Sequence, residues 1–535
     1  MNKKSNKNKI HIYTIDQEYK NIIVENSYLG KKGYTIPKKC LTTEDYESLK
    51  KELLLQPQTI GPKIGTHHNN SFPVYRENGN KVYIPRFYGI ERYGLPKRTE
   101  LQEGDNMELE FIKPLRDYQE NIIKVYMDYV NTPIVQSSKL HGSGGILEVP
   151  CGRGKTVMAL KIITLLHKKT LIIVHKEFLM NQWIERIREF VPNARIGKIQ
   201  GSVFDVQEKD IVIGMLQSLY DKEYGQNAYA SFGLTIIDEV HRIGSEQFSR
   251  ALCKTITPYM LGISATVDRK DGLTKVLHMF IGDKIYSEER AKEDKVNVRG
   301  IVYETNDDEF NEIEYDYRGT VKYSTMISKI CGYLPRTDFI ANVLNHLYDE
   351  DTGKQIMVLC HNRSFLTQLH QIIVDRQFCS VGFYVGGMKQ DELQKSESKQ
   401  IVLATYAMAS EALDIKTLST LVMASPKTDI TQSVGRILRM KHINPIIIDI
   451  IDKHSPFQNQ WQQRKRYYKK CNYLIKSINS NHYNNMLDYS DNSSRWNVIF
   501  DPSKRKHTDK KDNCSHNIDE NDNDYDYDND YKCLI

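Results

Sequence analysis

Residues 148–156 read Glu-Val-Pro-Cys-Gly-Arg-Gly-Lys-Thr, preceded by the apolar Gly145-Ile-Leu and followed by the helical pattern Val157-Met-Ala-Leu-Lys-Ile-Ile. A glycine-rich turn between an apolar strand and a helix has the form of a phosphate-binding loop. Gly152 and Gly154 let backbone N–H groups curl around phosphate oxygens. Lys155 reaches the β- and γ-phosphates, and Thr156 presents a hydroxyl to Mg²⁺. The stretch predicts a nucleoside triphosphate site, and alone it fits a kinase, a transporter ATPase, a GTPase or a motor.

Three further segments narrow that choice. Leu234-Thr-Ile-Ile-Asp-Glu-Val-His241 is an apolar run ending in adjacent acids. It puts Asp238 and Glu239 at the C-terminal edge of a buried parallel strand, where open α/β sheets bind ligands. Asp238 suits the Mg²⁺ shell, and Glu239 suits orienting or deprotonating the attacking water. Ser264-Ala265-Thr266 follows another apolar strand, Met260-Leu-Gly-Ile. Gln432-Ser-Val-Gly-Arg-Ile-Leu-Arg439 sets Arg436 and Arg439 on one helical face, suited to the charge on a transferring γ-phosphoryl group. Each piece alone has a plainer reading: a turn, a solvated strand end, a common tripeptide, an exposed helix face. All four in this order, each on the expected element, carry the nucleotide-hydrolysis reading.

With these motifs the chain resembles the superfamily 2 helicases and translocases over about residues 111–455. Leu115-Arg-Asp-Tyr-Gln119 looks like their adenine-recognition segment, which implies Gln119 at the base with Arg116 nearby. Thr170-Leu-Ile-Ile-Val-His175 through Gln182-Trp183, and Ile213-Gly-Met-Leu-Gln-Ser218, resemble the nucleic-acid-contacting motifs of the first lobe. Ile356-Met-Val-Leu-Cys-His-Asn362, and Leu403-Ala-Thr-Tyr406 through Glu411-Ala-Leu-Asp414-Ile, look like the corresponding motifs of the second.

Pro150-Cys-Gly-x-Gly-Lys, Gln182-Trp183, Arg269-Lys-Asp271-Gly and Tyr384-Val-Gly-Gly-Met388 favour the DExH branch that includes the translocase XPB, the phage helicase UvsW and relatives in large DNA viruses. Two departures stand out: Val149 where the general loop pattern has Gly, and Ala412 where many relatives have Gly.

The resemblance implies an α/β fold of two tandem RecA-like parallel-sheet lobes, with ATP and Mg²⁺ bound between them. It implies nucleotide contacts from Arg116, Gln119, Pro150, Cys151, Gly152, Arg153, Gly154, Lys155, Thr156 and Asp414. Thr156 and Asp238 would hold the metal, and Lys155, Asp238, Glu239, Gln432, Arg436 and Arg439 would serve catalysis. His241 would bridge to Gln432, and Ser264, Thr266 and Thr405 would couple to or contact nucleic acid. Grip through backbone phosphates implies little sequence specificity, with DNA favoured and RNA the alternative. ATP-driven closure of the cleft would then move the chain along a strand and unwind a duplex; an ATP-driven clamp without net unwinding has the same motifs.

Composition agrees with this reading. The 535 residues suffice for several domains, and 40% hydrophobic residues suffice for proper cores. The chain carries +6 overall, but His516–Ile535 holds seven acids against Lys532, a net −6, leaving +12 on the rest. A basic body suited to phosphates thus carries an acidic tail. Nine cysteines with no Cys-x-x-Cys pair argue for a reducing compartment without a zinc site or disulfide framework. The polar N-terminus and the lack of a long apolar run predict a soluble, intracellular protein outside the membrane.

Along the chain we expect an accessory module over 1–110, whose aromatic stretch Lys81–Pro96 packs on the first lobe in preference to the alternative of contacting nucleic acid. The first lobe follows over 111–290, a connecting region over 291–324, and the second lobe over 325–455. A basic helix over 456–478 is expected to dock through Tyr467, Cys471 and Leu474, with Arg464, Lys465, Arg466 and Lys469 either toward phosphates or on a merely solvated face. The Asn-, Ser- and Asp-rich residues 479–535 read as a disordered tail.

Overall fold

Thr170–Val174 is apolar but for Thr170, Leu234–Asp238 is apolar but for Thr235 and the terminal Asp238, and every residue of both is buried. Strands covered on both faces are built from such unbroken runs, so these belong at the centre of a parallel sheet. A computed structural model describes residues 15–56, 71–132, 143–150, 152–225, 227–240, 246–268, 272–288, 295–411, 415, 417–437, 442, 444–484, 489 and 494–504. It divides the chain into two units, Met1–Glu289 and Arg290–Ile535.

The first unit contains an eight-stranded sheet. Its spatial order is Val203–Phe204, Ile196–Gln200, Ile211–Met215, Thr170–Val174, Leu234–Asp238, Tyr259–Ser264, Gly144–Glu148 and Lys284–Ser287. All neighbours are parallel except the first pair. Alternate side chains enter two cores, as the two-residue period of a strand requires. Leu147, Ile172, Ile236 and Leu261 pack with the helices Asp117–Asn131, Lys155–Leu166 and Glu177–Phe190, while Ile146, Ile173, Ile237 and Met260 pack on the opposite side with Phe248, Leu277 and Phe280.

That second core continues into the N-terminal module. A five-stranded sheet there, in the order Arg76–Glu77, Lys81–Ile84, Gly33–Pro37, Tyr28–Gly30, Arg98–Thr99, carries the helix Arg86–Tyr93. The helix docks on the first lobe, as expected from the aromatic stretch. Arg86 is buried and donates from Nη1 to the carbonyls of Thr257 at 3.1 Å and Pro258 at 2.9 Å. Arg86→Ala is expected to cost about 2–3 kcal/mol, as lost hydrogen bonds from a charged donor do. A calorimetric scan should show the unfolding midpoint lowered; an unchanged midpoint would remove Arg86 from the docking.

The second unit holds a second eight-stranded sheet, in the order Val381–Tyr384, Ile401–Thr405, Gln355–Cys360, Leu418–Met423, Ile446–Asp452, Asn297–Tyr303, Leu474–Asn479 and Asn497–Phe500. All pairs are parallel except the last. With the helices between strands, both sheets have the α/β form expected of the two lobes.

Three local expectations are corrected here. Asn297–Tyr303, assigned above to a connecting region, pairs residue for residue with Ile446–Asp452 and lies inside the sheet. Within the expected disordered tail, the described residues 479–484 and 494–504 include the helix Ser480–Asn484 and the strand Asn497–Phe500, and the aromatics Tyr483 and Trp496 are buried and anchor these elements to the core. The helix Ser455–Lys470 docks through Phe457, Trp461, Arg464 and Tyr468 rather than through Tyr467, Cys471 and Leu474, and Leu474 begins a strand.

Arg464 is therefore no phosphate ligand: it lies 1% exposed against Asp449. A second buried pair, Arg336 with Asp452, holds the same strand at 2.6 Å. Residues 505–535, with the acidic run, lie outside the described residues. No helix among the described residues is long and apolar enough to cross a membrane.

Candidate nucleotide and nucleic-acid site

The parallel register of the first sheet brings the motif residues to one edge. Glu148 pairs with Ser264, and Asp238 with Ile263, so the chain leaves three adjacent strands together. From the first of them runs the glycine loop. Gly152 and Gly154 adopt left-handed φ angles of +84° and +78°, which favour glycine. A Cβ on Gly154 would stand 2.4 Å from the Gln119 Nε2, so any larger residue would also displace the Gln119 amide.

Gln119 is itself tied to the loop. Its Nε2 donates to the Arg153 carbonyl at 3.1 Å, its Oε1 accepts the Arg116 N–H at 3.0 Å, and the Tyr118 hydroxyl reaches the same Arg153 carbonyl at 3.3 Å. The helix Lys155–Leu166 begins just past Gly154, so the N–H groups of its first turn lie at the loop.

At the next strand end, Lys155 Nζ lies 3.3 Å from Glu239 Oε1. Glu239 takes a left-handed backbone with φ +51°, a conformation that non-glycine residues adopt at some cost and that recurs at functional sites. Asp238 is buried beside it. Burial, and then the charge of Glu239, push its carboxyl up to about 6, against the pull of the Trp183 hydrogen bond and of Lys155.

The Trp183 indole N–H donates to Asp238 Oδ2 at 2.8 Å. Ser264 closes a tight turn, its hydroxyl donating to the Thr266 carbonyl at 2.5 Å and accepting the Thr266 N–H at 3.3 Å. A glycine cradle, an ammonium group and two adjacent carboxylates are the donor set that Mg²⁺ and a triphosphate require.

The structure thus gathers Gln119, Gly152, Arg153, Gly154, Lys155, Thr156, Asp238, Glu239, Ser264 and Thr266 around one sheet edge, with Arg116 at the start of the helix that carries Gln119. In the second unit Thr405 ends its strand and pairs with Cys360. Next to it the half-buried His361 ring contacts Ser425 Oγ at 2.9 Å, and Tyr406 donates to the Ser425 carbonyl at 2.6 Å. Burial drives the His361 imidazole down to about 4, aided by Lys427, so it is neutral at physiological pH.

Cys151, His241, Arg269, Asp271, Ala412, Asp414 and Arg439 lie outside the described residues, as do the side chains of Gln432 and Arg436, whose backbones belong to the helix Thr431–Ile437.

Trp183 carries more than the motif reading gave it. Because its N–H occupies one oxygen of Asp238, Trp183→Phe should keep the packing and loosen the carboxylate. We expect the Mg²⁺ concentration for half-maximal ATP turnover to rise about fivefold, the worth of one buried hydrogen bond. A magnesium titration of both proteins checks this, and superimposable curves would refute it.

A parallel sheet with this edge defines a nucleoside-triphosphate-binding α/β protein, and comparison with known proteins shows the family. Residues 112–269 match the family described as type III restriction enzyme, res subunit, and residues 338–441 match the helicase conserved C-terminal domain. The chain is 34% identical over 452 residues, 83% of its length and 85% of the relative's, to a protein of Acanthamoeba polyphaga mimivirus that carries the name of an ATP-dependent RNA helicase.

A similarly named protein of African swine fever virus is 26% identical over 405 residues, 68% of this chain and 77% of that one. The DNA 3'-5' translocase XPB2 of Sulfurisphaera tokodaii is 31% identical over 208 residues, 38% of this chain and 43% of that one. The chain belongs to the superfamily 2 helicases, and as such it binds nucleic acid and is a nucleic-acid-dependent ATPase.

Proposed function

We propose that this helicase moves along one strand of nucleic acid, DNA in preference to RNA, and separates the duplex it meets. The observation that carries the reading is the common sheet edge. Lys155, Asp238 and Glu239 stand beside the Ser264–Thr266 turn, so a change in phosphate occupancy is felt one strand away from a nucleic-acid-contacting candidate. The preference for DNA rests on the likeness to the Sulfurisphaera translocase and on the branch-specific motifs. The names of the viral relatives favour RNA and make it the second reading.

In the proposed reaction Lys155 neutralises the β- and γ-phosphate oxygens. Thr156 and Asp238 would hold Mg²⁺, which would supply further charge neutralisation on the phosphates. Glu239 accepts a proton from the attacking water as its oxygen bonds the γ-phosphorus and the bond to the bridging oxygen of ADP breaks. Arg436 and Arg439 stabilise the equatorial charge, and His241 with Gln432 links hydrolysis to the strand-bound segments. Contacts to phosphates and sugars give movement without sequence preference.

The test is steady-state ATPase activity with no nucleic acid, single-stranded DNA, duplex DNA or RNA, at several strand lengths. Stimulation by single-stranded DNA that grows with length supports directional movement. Stimulation by RNA alone would assign the substrate to RNA, and stimulation independent of length would replace movement by a clamp.

A further inference from the structure

Glu148 closes the strand Gly144–Glu148, just ahead of Val149 and Pro150. Its side chain is 14% exposed and is bonded to separate segments of the first unit. Oε1 accepts the Val267 N–H at 2.8 Å, directly after Ser264-Ala265-Thr266. Oε2 accepts Ser287 Oγ at 2.6 Å and Lys284 Nζ at 3.0 Å, both on the last strand of the unit. Burial pushes this carboxyl up, but the bonds from Ser287, Val267 and Lys284 outweigh it and hold the group below the ordinary carboxylate range. The carboxylate is therefore ionised and fully engaged at neutral pH.

The backbone repeats the pattern. Glu148 pairs with Ser264 on one side and with Ser287 on the other, and its carbonyl accepts the Glu288 N–H at 3.0 Å. The Glu288 carboxylate in turn pairs with Arg153 of the glycine loop, whose guanidinium lies 3.7 Å from the centre of the Tyr118 ring. Sheet pairing at a strand end needs no charge. The carboxylate adds only the three side-chain bonds, and each reaches a segment that flanks the phosphate loop.

We propose that Glu148 is a positioning residue that transmits engagement of nucleic acid at the Ser264–Thr266 turn to the phosphate loop, and so sets how far nucleic acid accelerates ATP turnover. The inference rests on the motor reading above. The Glu148 carboxylate ties the Val267 N–H to the outgoing strand, whose next residue Glu288 holds Arg153 of the glycine loop, so that a shift of the turn moves the loop.

Three proteins test it: wild type, Glu148→Ala and Glu148→Gln. Each is measured for ATP turnover with and without saturating single-stranded DNA and RNA, for affinity toward a fluorescent ADP analogue, and for affinity toward the strand. In Glu148→Ala the ratio of stimulated to unstimulated turnover should fall about tenfold, the worth of one charge-assisted hydrogen bond, with both affinities held within about threefold. Glu148→Gln keeps an oxygen for the Val267 N–H and should recover about half of the lost stimulation on the same scale.

A merely structural role predicts instead that stimulated and unstimulated rates fall by the same factor, or that the fall follows the affinities; either result overturns the proposal. If Glu148→Ala does not fold, Ser287→Ala and Glu148→Gln carry the same comparison. A wild type that no nucleic acid stimulates sinks the motor reading and this inference with it, whereas a stimulated wild type with Glu148→Ala stimulated to the same extent sinks the inference alone.

Discussion

Glu239→Gln is expected to lower ATP turnover by roughly 10³-fold while leaving nucleotide bound, because general-base assistance is worth about 10²–10⁴ in rate. The substitution is conservative in every respect but charge. Glutamine has the same shape, and it meets the φ of +51° at this position on the same terms as glutamate, so no new backbone strain enters. What disappears is the proton acceptor and the ion pair with Lys155 at 3.3 Å.

Losing that pair releases the ammonium group from Glu239, so affinity for a fluorescent nucleotide analogue should hold within about threefold or tighten slightly. Lys155→Ala should differ in kind, losing nucleotide affinity as well as turnover. The decisive comparison is turnover beside equilibrium binding for both variants. Turnover of Glu239→Gln within tenfold of wild type would remove Glu239 from the base role, and loss of binding would show that the carboxylate builds the site instead of working in it.

The parts of this site that sequence exposes are those written in consecutive residues. A glycine loop and a pair of acids at a strand end each lie within a few positions, and the element that presents them is set by the local apolar pattern. Lys155, Asp238, Glu239 and Ser264 were legible for that reason. The supporting contacts were not: Trp183 meets Asp238 across 55 positions, and Glu148 meets Val267 across 119. Only the folded register makes such pairs adjacent.

The same cause hid the edges of the second unit. Asn297–Tyr303 is a short run with an arginine inside it, followed closely by an acidic stretch, and composition outweighed its apolar alternation. Arg299 sits in that strand because Glu350 takes both ends of its guanidinium at 2.7 Å. Polar residues 479–504 read as unstructured because two buried aromatics, Tyr483 and Trp496, do the anchoring, and a window average dilutes two residues.

Arg464 is where reading charge from sequence misled most, and its removal should have the largest effect on stability. In a run of Arg, Lys and Tyr it looks like part of a solvated basic face. In the fold it donates to Asp449 at 2.7 and 2.9 Å and to the Lys427 carbonyl at 2.9 Å, and Tyr468 adds a third bond to Asp449 at 3.1 Å.

Arg464→Ala would leave Asp449 charged and buried near Asp452, and breaking such a pair from one side costs about 3–5 kcal/mol. That is a large share of the roughly 5–15 kcal/mol that holds a domain together. Burial already pushes the Asp449 carboxyl up even with Arg464 in place. A carboxyl raised in the folded state favours folding as it protonates, so the deficit of Arg464→Ala should shrink as the pH falls below neutrality. Replacing both partners, Arg464→Met with Asp449→Leu, should restore most of the loss, because well-packed apolar substitutes for a buried pair are often neutral.

Thermal unfolding of the single and double variants at two pH values measures all three effects. Nucleic-acid affinity separates this account from the phosphate-contact reading. A lost phosphate contact lowers the slope of log affinity against log salt by about one. At temperatures where the double variant is folded, its slope should equal that of wild type, and a shallower slope would return Arg464 to the nucleic-acid surface.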